Sequence, residues 1–282
     1  MMLSTVTAPA YTRNVRILDD ESMRKVAPSV FATRPWSAMS EKYQFIPTSD
    51  VLTRLRAEGF NPVKVQQSRC RIEGKGEFTK HLIRFRRTDT ELVLGEVFPE
   101  VVLVNSHDGA SSFQCYSGLF RLVCLNGMVS GVGNLSQYKT RHTGQIDNVI
   151  DAAYRVVEDF PMLSEQVKAW QSVQLTEPQQ LAYADAAREL RWEKDQAPVE
   201  PSKLLTVRRR DDVGASLWLT YQRTQENLVK GGLSYISDSR DQFGRPMRRR
   251  MHTRSVNSVS EDVKLNRALW TLTENMAQLV RA

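Results

Sequence analysis

The spacing of hydrophobic residues divides the chain into a strand-rich half followed by a helical half. Between residues 60 and 135, apolar residues alternate with polar ones or form short continuous runs such as Val101 to Val104, which is typical of half-buried and buried strands. From residue 143 onward, apolar residues instead recur every three or four positions, as they do in amphipathic helices. We therefore predict an α+β fold in which an antiparallel β-sheet built from hairpins packs against helices.

Two hairpins are predicted in the strand-rich half. Segments 62–72 and 78–87 are expected to pair across a glycine-containing turn, and EVVLVNSHDGASSFQCY is expected to fold back at Asp108-Gly109. Residues 117–132 fit two patterns, because they could form two strands that turn at Asn126-Gly127 or a helix that Gly127 ends. Both alternatives stay open at this point.

Capping residues and glycines mark where the predicted helices begin and end. A short helix is expected after Asp50, whose carboxylate can accept hydrogen bonds from its first amides. Asp211 or Asp212 is the expected cap of a later helix, which Gly231 should end. Ser258 to Glu261 has the spacing of a capping box and is expected to open the last helix.

The domain organisation predicted from these elements is one α+β domain behind an N-terminal arm. Residues 1–45 contain three prolines and no sustained hydrophobic period, so we expect an arm that is disordered or is ordered by docking, for example on a neighbouring subunit. Residues 46–282 form the single domain, with hairpins over 60–135 and helices over 143–282.

The interval 233–257 between the last two helices is too long for an ordinary connection. It spans about 25 residues, whereas most connections have about four to six. LSYIS and RPMRRRMHTRSV are predicted to pair as a basic β-ribbon across DSRDQFG. Strand alternation then places Met247, Arg249 and Met251 on one side, and Arg248, Arg250 and His252 on the other.

Positive charge is concentrated in three places along the chain. Lys and Arg total 39 against 32 Asp and Glu, a net charge of +7, which favours polyanionic partners because bound cations release counterions from phosphates. The residues predicted to contact nucleic acid are Arg245, Arg248, Arg249, Arg250 and Arg254 in the ribbon, Arg208, Arg209 and Arg210 ahead of a helix, and Lys80, Arg84, Arg86 and Arg87 on a strand.

Each basic cluster also has an interpretation that involves no ligand. The ribbon arginines could be a solvated sheet edge that discourages aggregation. Arg208 to Arg210 could pair with Asp211 and Asp212, which follow them directly. Lys80, Arg84 and Arg86 share one face of an ideal strand, and that face could simply be solvated.

No motif indicates an enzyme, a metal or a cofactor. The four histidines lack metal-ligand spacing, the three cysteines contain no CxxC pair, and the glycines of GMVSGVGN lack the Lys-Ser/Thr of a phosphate loop. His107 and Asp108 are adjacent, but neighbouring strand residues point to opposite faces. The sequence also contains no apolar run of membrane-spanning length and no signal peptide pattern, so we expect no membrane association and a cytoplasmic location.

Three segments, GLFRLVCLNGM (118–128), YQRTQENLVKGG (221–232) and RRRMHTRSVNSVSEDVKLNRALWTLTENMA (248–277), carry a resemblance to a known family. They resemble the bacterial, phage and plasmid proteins of domain of unknown function 932, over roughly residues 45 to 282. This resemblance implies a mobile-element setting among replication, recombination and defence functions. The layout of hairpins, helices and basic ribbon is also similar in architecture to single-strand annealing recombinases, whose subunits form rings.

The main hypothesis is a non-enzymatic, oligomeric protein of a phage, plasmid or genomic island that binds single-stranded DNA and assists annealing or recombination. The alternative is an interaction or anti-defence factor whose arginines contact an acidic protein. A third hypothesis is a nucleotide-processing enzyme that uses His107, Asp108 and the glycine-rich segment.

Overall fold

The computed structural model describes residues 17–87, 97–121, 127–129, 137–140, 146–193, 196–240 and 245–281. The helices are α1 (Asp20–Val26), α2 (Thr48–Ala57), α3 (Asp147–Glu158), α4 (Phe160–Ser172), α5 (Glu177–Glu189), α6 (Pro201–Leu204), α7 (Leu217–Lys230) and α8 (Val259–Arg281). The strands are β1 (Phe60–Gln67), β2 (His81–Arg87), β3 (Val97–Asn105), β4 (Phe113–Arg121), β5 (Gly127–Val129), β6 (Gln137–Thr140), β7 (Ser234–Arg240) and β8 (Pro246–His252). The predicted α+β class is confirmed.

The larger sheet is antiparallel, with the strand order β1-β2-β3-β4. Both predicted hairpins, β1–β2 and β3–β4, are therefore confirmed. The free edge of β4 is shared by two short strands, since β6 pairs with its first half and β5 with its second half. Within 117–132, the described residues 117–121 and 127–129 are strands, so the helical alternative is wrong there; the rest of that segment lies outside the described residues.

One face of this sheet holds the main hydrophobic core. Ile83, Leu103 and Cys115 lie in register across β2, β3 and β4, and their side chains are buried with those of α2 and α3. The same core continues into the C-terminal helices, where the rings of Trp170 and Trp270 have centroids 4.5 Å apart. Sheet and helices thus share one hydrophobic core.

The opposite face of the sheet is covered by the first turns of α8. Leu82, Val104 and Tyr116 form a second buried cluster with Val259 and Val263 of that helix. Farther along α8, Trp270 and Ala277 belong to the main core. This long helix therefore joins the sheet to the helical part of the protein.

The N-terminal segment contributes to the core from Leu18 onward. Met23, Ala27 and Val30 are fully buried in the main cluster, and Leu18 N donates a hydrogen bond to Pro62 O at 2.8 Å. Of the expected arm 1–45, residues 1–16 lie outside the described part of the chain.

Two of the predicted helix caps are wrong. Helix α2 begins at Thr48 after Pro47, which makes no side-chain cap, so Asp50 lies within the first turn, where its charge still complements the helix dipole. Helix α7 is capped by Ser216, whose Oγ accepts from Leu219 N at 3.2 Å. Asp211 and Asp212 belong instead to a separate 3-10 turn, because DDVGAS offers three residues that can cap and packing selects among them.

The two other predicted helix boundaries are confirmed. Gly231 ends α7 with a φ of +63°, a backbone conformation that glycine adopts without the steric cost of a Cβ. Ser258 Oγ accepts a hydrogen bond from Glu261 N at 3.5 Å at the start of α8.

Candidate nucleic-acid interface

Strands β7 and β8 form the predicted basic ribbon. They pair antiparallel from Ser234 opposite His252 to Arg240 opposite Pro246. Because side chains alternate along a strand, Met247, Arg249 and Met251 share one face, as predicted. Arg248, Arg250 and His252 share the other. We refer to β7 and β8 together as the arginine ribbon.

The arginine ribbon is anchored at its base and exposed along most of its described length. Leu233 and Thr253 are buried at the base, where Leu233 N donates to Thr253 Oγ1 at 3.1 Å. Arg191 ties this base to the helices, since its guanidinium donates to the backbone oxygens of Leu228 and Arg254. Residues 247–252 are all exposed, and so is Arg245.

The exposed ribbon arginines form a surface suited to a polyanion. On each face of β8, successive side chains are about 7 Å apart along the strand. Arg249 lies between the exposed Met247 and Met251, and thus combines a planar cation with flexible apolar neighbours. A guanidinium of this kind can bind a phosphate through two parallel hydrogen bonds or stack on a base.

The Arg208 to Arg210 cluster lies elsewhere than the sequence predicts. Helix α7 begins seven residues after Arg210, and Arg208 and Arg209 contact its C-terminal half, whereas Arg210 is exposed. Arg208 donates to Asn227 Oδ1 at 2.5 Å and to the backbone oxygen of Gly231. Arg208 therefore completes the hydrogen bonding at the C-terminal end of α7 rather than lying at its N-terminal end.

Arg209 also takes part in an internal ion pair. Its guanidinium is 2.6 Å from the carboxylate of Glu226, which Lys230 contacts at the same distance. Although burial opposes ionisation, Lys230 and Arg209 hold the pKa of Glu226 below its usual value. Arg209 therefore stabilises α7 and is paired without any ligand.

Arg84 and Arg86 share one face of β2, as predicted, but that face is covered. Both contact Glu100 of β3, with Arg84 Nε 2.6 Å from Oε2 and Arg86 Nε 3.0 Å from Oε1. The side chains of Arg84, Arg86 and Glu100 are 8%, 11% and 0% exposed. Strand β2 therefore does not present Arg84 and Arg86 to DNA as an exposed row of cations, because these two side chains neutralise a buried carboxylate.

The two remaining basic residues of this region have different environments. Arg87 lies over the ring of Phe60, with its Cζ 5.3 Å from the ring centroid. Lys80 precedes β2 and donates to Ser260 Oγ of α8 at 2.7 Å. Of the four cations predicted to contact DNA in this region, Lys80 is the one that lies beside the first turn of α8.

The structure places His107 in a buried network with His81 that the sequence did not predict. Thr48 Oγ1 is 2.9 Å from His81 Nε2 and 3.2 Å from His107 Nε2, and Asn105 Nδ2 donates to the same oxygen at 2.9 Å. All four residues are fully buried. Thr48 can donate one hydrogen bond and accept two, which fits two neutral histidines.

Burial sets the protonation of this network. Desolvation, followed by the proximity of His107, lowers the pKa of His81 to about 3. Asp108 contacts Lys75 at 3.1 Å, and its charge opposes the lowering of the His81 pKa. The glycine-rich segment of the third hypothesis lies largely outside the described residues.

The described residues contain neither a cluster suited to a metal ion nor a helix suited to span a membrane. No group of three or more His, Cys, Asp or Glu side chains there has the geometry of a metal site. No helix among them combines the length and apolar character needed to cross a membrane.

Comparison with known proteins identifies a family model and relatives that match most of the chain. The family model described as "Domain of unknown function (DUF932)" matches residues 35–270. The chain is 43% identical over 263 residues to UPF0380 protein YafZ of Escherichia coli strain K12, covering 93% of this chain and 92% of that protein. It is 42% identical over 265 residues to UPF0380 protein YfjQ of the same strain, covering 94% and 93%. No solved structure shows significant similarity to it.

Proposed function

The chain belongs to the family of domain of unknown function 932, and we propose that it binds single-stranded DNA through its arginine ribbon. In this proposal, the ribbon guanidiniums neutralise phosphates and leave the bases free to pair. Such binding would let the protein assist strand annealing or recombination for a phage, plasmid or genomic island.

The observation that carries the proposal is the exposure of Arg249 and Arg250 on opposite faces of the ribbon. Among the other predicted cations, Arg84 and Arg86 are engaged by Glu100 inside the fold, and Arg208 and Arg209 are engaged by residues of α7 and by Gly231. Because the ribbon projects cations from both faces, a flexible single strand of DNA could contact them by wrapping around it. The site is therefore narrower than the sequence predicts, and it centres on residues 245–254.

A homo-oligomer is the second part of the proposal. Strands β7 and β8 pair only with each other in the sheet topology, so each has an outer edge that is free of strand partners among the described residues. A second copy that pairs with such an edge would extend the row of arginines. Annealing proteins need this kind of continuous surface, because two strands must be held extended along it.

Binding of a fluorescently labelled single-stranded oligonucleotide tests the proposal. The triple variant Arg248→Ala, Arg249→Ala and Arg250→Ala should bind at least about tenfold more weakly than the unchanged protein, since charge-assisted hydrogen bonds are lost. The matched control replaces the exposed Arg69, Arg71 and Arg281 by Ala, which removes the same charge away from the ribbon. Equal affinities of the two triple variants would count against the ribbon as the binding surface.

A second candidate function is contact with an acidic protein. It is favoured by the apolar residues of the ribbon, because Ile236, Met247 and Met251 are 59%, 41% and 39% exposed. Arginine and methionine side by side are enriched in protein interfaces. Affinity capture with and without nuclease separates the candidates: a partner bound through DNA is lost after nuclease treatment, and a directly bound protein is retained.

A further inference from the structure

A cavity of about 650 Å³ lies beside the turn that joins β1 to β2. It is lined by residues of segment 28–37 and by residues of that turn, and none of its lining belongs to the arginine ribbon. We refer to it as the Trp36 groove. Its volume lies within the range of about 300 to 1,000 Å³ that is typical of small-molecule sites.

Trp36 gives this groove an aromatic surface. Its ring packs against Phe78, with centroids 5.4 Å apart and ring planes tilted by 51°. Phe78 is only 7% exposed, whereas Trp36 is partly exposed and lines the groove. The backbone holds the residue in place, since Trp36 N donates to His107 O at 2.9 Å and Met39 N donates to Trp36 O at 3.0 Å. A partly exposed indole in a fixed position is suited to stack on a planar ligand.

The turn between β1 and β2 leaves room beside this ring. Gln67 is fixed by two hydrogen bonds, because its Oε1 accepts from Ser29 N at 3.0 Å and its Nε2 donates to Gly76 O at 2.8 Å. Gly74 and Gly76 carry no side chains, and a Cβ at either position would meet no atom within 4 Å. A planar group can therefore approach the backbone of the turn without displacing a side chain.

The Trp36 groove carries one cation and one anion, Arg34 and Glu77. Both side chains are exposed, and neither has a hydrogen bond or an ion pair with another residue in the described part of the chain. The nearby Asp108 is engaged by Lys75 at 3.1 Å. A ligand in the groove is therefore expected to supply an anion to Arg34 and a hydrogen-bond donor to Glu77.

A nucleotide whose base carries an amino group has all of the required features. Its phosphate matches Arg34, its amino group matches the carboxylate of Glu77, and its base offers a flat aromatic face to Trp36. Thymine presents a carbonyl oxygen where cytosine presents the amino group, and that oxygen would repel the carboxylate. A bare inorganic phosphate would leave the indole and the carboxylate unused.

We propose that the Trp36 groove binds one unpaired base of a DNA strand. The base stacks on Trp36, its amino group donates to Glu77, and a phosphate of the same strand contacts Arg34. This inference rests on the proposed function of the arginine ribbon and adds a base preference to it, in favour of bases that carry an amino group over thymine.

A single DNA strand is long enough to reach both the Trp36 groove and the arginine ribbon. Lys80 lies two residues after Phe78, and its Nζ donates to Ser260 Oγ at 2.7 Å. The eight residues from Ser260 back to His252, at the end of the ribbon, span at most about 29 Å. A strand of about 20 nucleotides extends for about 68 Å even at the spacing of about 3.4 Å per nucleotide found in duplex DNA.

Tryptophan fluorescence measures occupation of the groove, because a base stacked on an indole quenches its emission. Deoxycytidine monophosphate should quench the unchanged protein and should bind at least about tenfold more tightly than thymidine monophosphate. Trp36→Phe should lose most of the quenching. Trp192→Phe is the matched control, since it removes another partly exposed tryptophan and should retain the quenching.

Two charge variants test the roles of Arg34 and Glu77. Glu77→Gln should reduce the preference for cytosine over thymine to less than about threefold, because an amide both donates and accepts hydrogen bonds. Arg34→Gln should weaken binding of both monophosphates by at least about tenfold. The control Arg281→Gln removes an exposed arginine outside the groove lining and should bind as the unchanged protein does. Circular dichroism verifies that each variant is folded.

Three results would overturn the base site. The first is the absence of quenching by millimolar deoxycytidine monophosphate. The second is equal affinity for the two monophosphates, which would remove the role of Glu77. The third is quenching that persists in Trp36→Phe, which would place the nucleotide elsewhere.

Competition with a deoxycytidine oligonucleotide tests whether the base belongs to a strand. Displacement of the monophosphate by the oligonucleotide supports the proposal, and a monophosphate that stays bound contradicts it. The variant with Arg248, Arg249 and Arg250 replaced by Ala should bind the monophosphate normally, because the ribbon does not line the groove. Failure of the ribbon as a DNA surface and failure of the base site therefore give different results.

Discussion

At the scale of single residues, arginine has opposite roles in different parts of this protein. Arg84 neutralises buried Glu100, and Arg208 completes the C-terminal end of α7. Arg249 and Arg250 project from an exposed ribbon. The sequence predicted all of them as possible DNA contacts, because the partners of Arg84 and Arg208 are 16 and 19 residues away along the chain.

Replacing Arg208 should separate these two roles. Arg208→Ala leaves Asn227 Oδ1 and the Gly231 carbonyl without their guanidinium donor, so the free energy of unfolding should fall by about 1 to 3 kcal/mol. Oligonucleotide affinity of the folded variant should change little. Urea denaturation and fluorescence anisotropy measure the two quantities. Arg249→Ala is the matched control, since it should weaken DNA binding with almost no change in stability.

The buried histidine network could not be predicted from the sequence. His81 and His107 are 26 positions apart, and only the pairing of β2 with β3 and the docking of Thr48 bring them together. A signal was present in the pattern, because His81 precedes an apolar run and His107 follows one. Isolated histidines of this kind are common, so the pattern alone identifies no network.

Acid should destabilise the protein through His81. Its pKa is about 3 in the folded protein and about 6.5 in the unfolded chain, so the unfolded chain alone gains the proton between these values. The stabilisation is therefore complete above pH 6.5 and decreases as the pH falls toward 3. Between pH 6.5 and pH 5, this residue should account for a loss of about 1 to 2 kcal/mol.

Urea denaturation at both pH values checks this prediction with two variants. His81→Gln should lower stability at pH 6.5 but show a flatter pH dependence than the unchanged protein. His252→Gln removes an exposed histidine on the ribbon and should keep the original pH dependence. An unchanged pH dependence in His81→Gln would show that this residue is not the source of the acid sensitivity.

At the scale of elements, the arginine ribbon was predictable and its anchoring was not. The length of the interval between two helices and the alternation within RPMRRRMHTR indicated a strand pair, and the observed register places the residues on the predicted faces. The contacts of Arg191 with Leu228 and Arg254 join distant parts of the chain, and no local pattern contains that information. The cap of α7 was missed for a different reason, because several residues before it were equally suitable.

Gly231 should be essential to the junction between α7 and the ribbon. Its φ of +63° and ψ of −144° belong to a region that other residues almost never adopt, and a Cβ would lie 2.6 Å from Thr253 O and closer still to Arg254 O. Gly231→Ala should therefore lower the free energy of unfolding by at least about 2 kcal/mol. At Gly232, whose φ is +77° but whose Cβ would meet no atom within 4 Å, alanine should cost about 1 kcal/mol.

Thermal or urea denaturation of the two alanine variants measures this difference. Nearly equal losses of stability would mean that the backbone oxygens of Thr253 and Arg254 move away from residue 231 at little cost. The ribbon would then be less rigidly attached than its hydrogen bonds indicate.

At the scale of the whole molecule, the fold class and the family followed from the sequence, but the arrangement around α8 did not. Alternation and three-to-four spacing identified strands and helices correctly, and the family resemblance is confirmed by the match over residues 35–270. The covering of the second sheet face requires contact between Val104 and Val259, which are more than 150 residues apart.

Oligomerisation with single-stranded DNA remains a prediction at this scale. Electron micrographs of the purified protein should show rings or filaments that appear or lengthen when single-stranded DNA is added. A monomer that stays unchanged with DNA at high protein concentration would contradict the annealing part of the proposal, although it would leave binding itself possible.

The most direct test of the central claim is the salt dependence of oligonucleotide binding. For single strands, the slope of log K against log salt changes by about 0.7 for each phosphate contact. The unchanged protein should show a steep slope, and the variant with Arg248, Arg249 and Arg250 replaced by Ala should show a slope shallower by about 2. A slope that is near zero, or that is the same in both proteins, would contradict phosphate binding by the arginine ribbon.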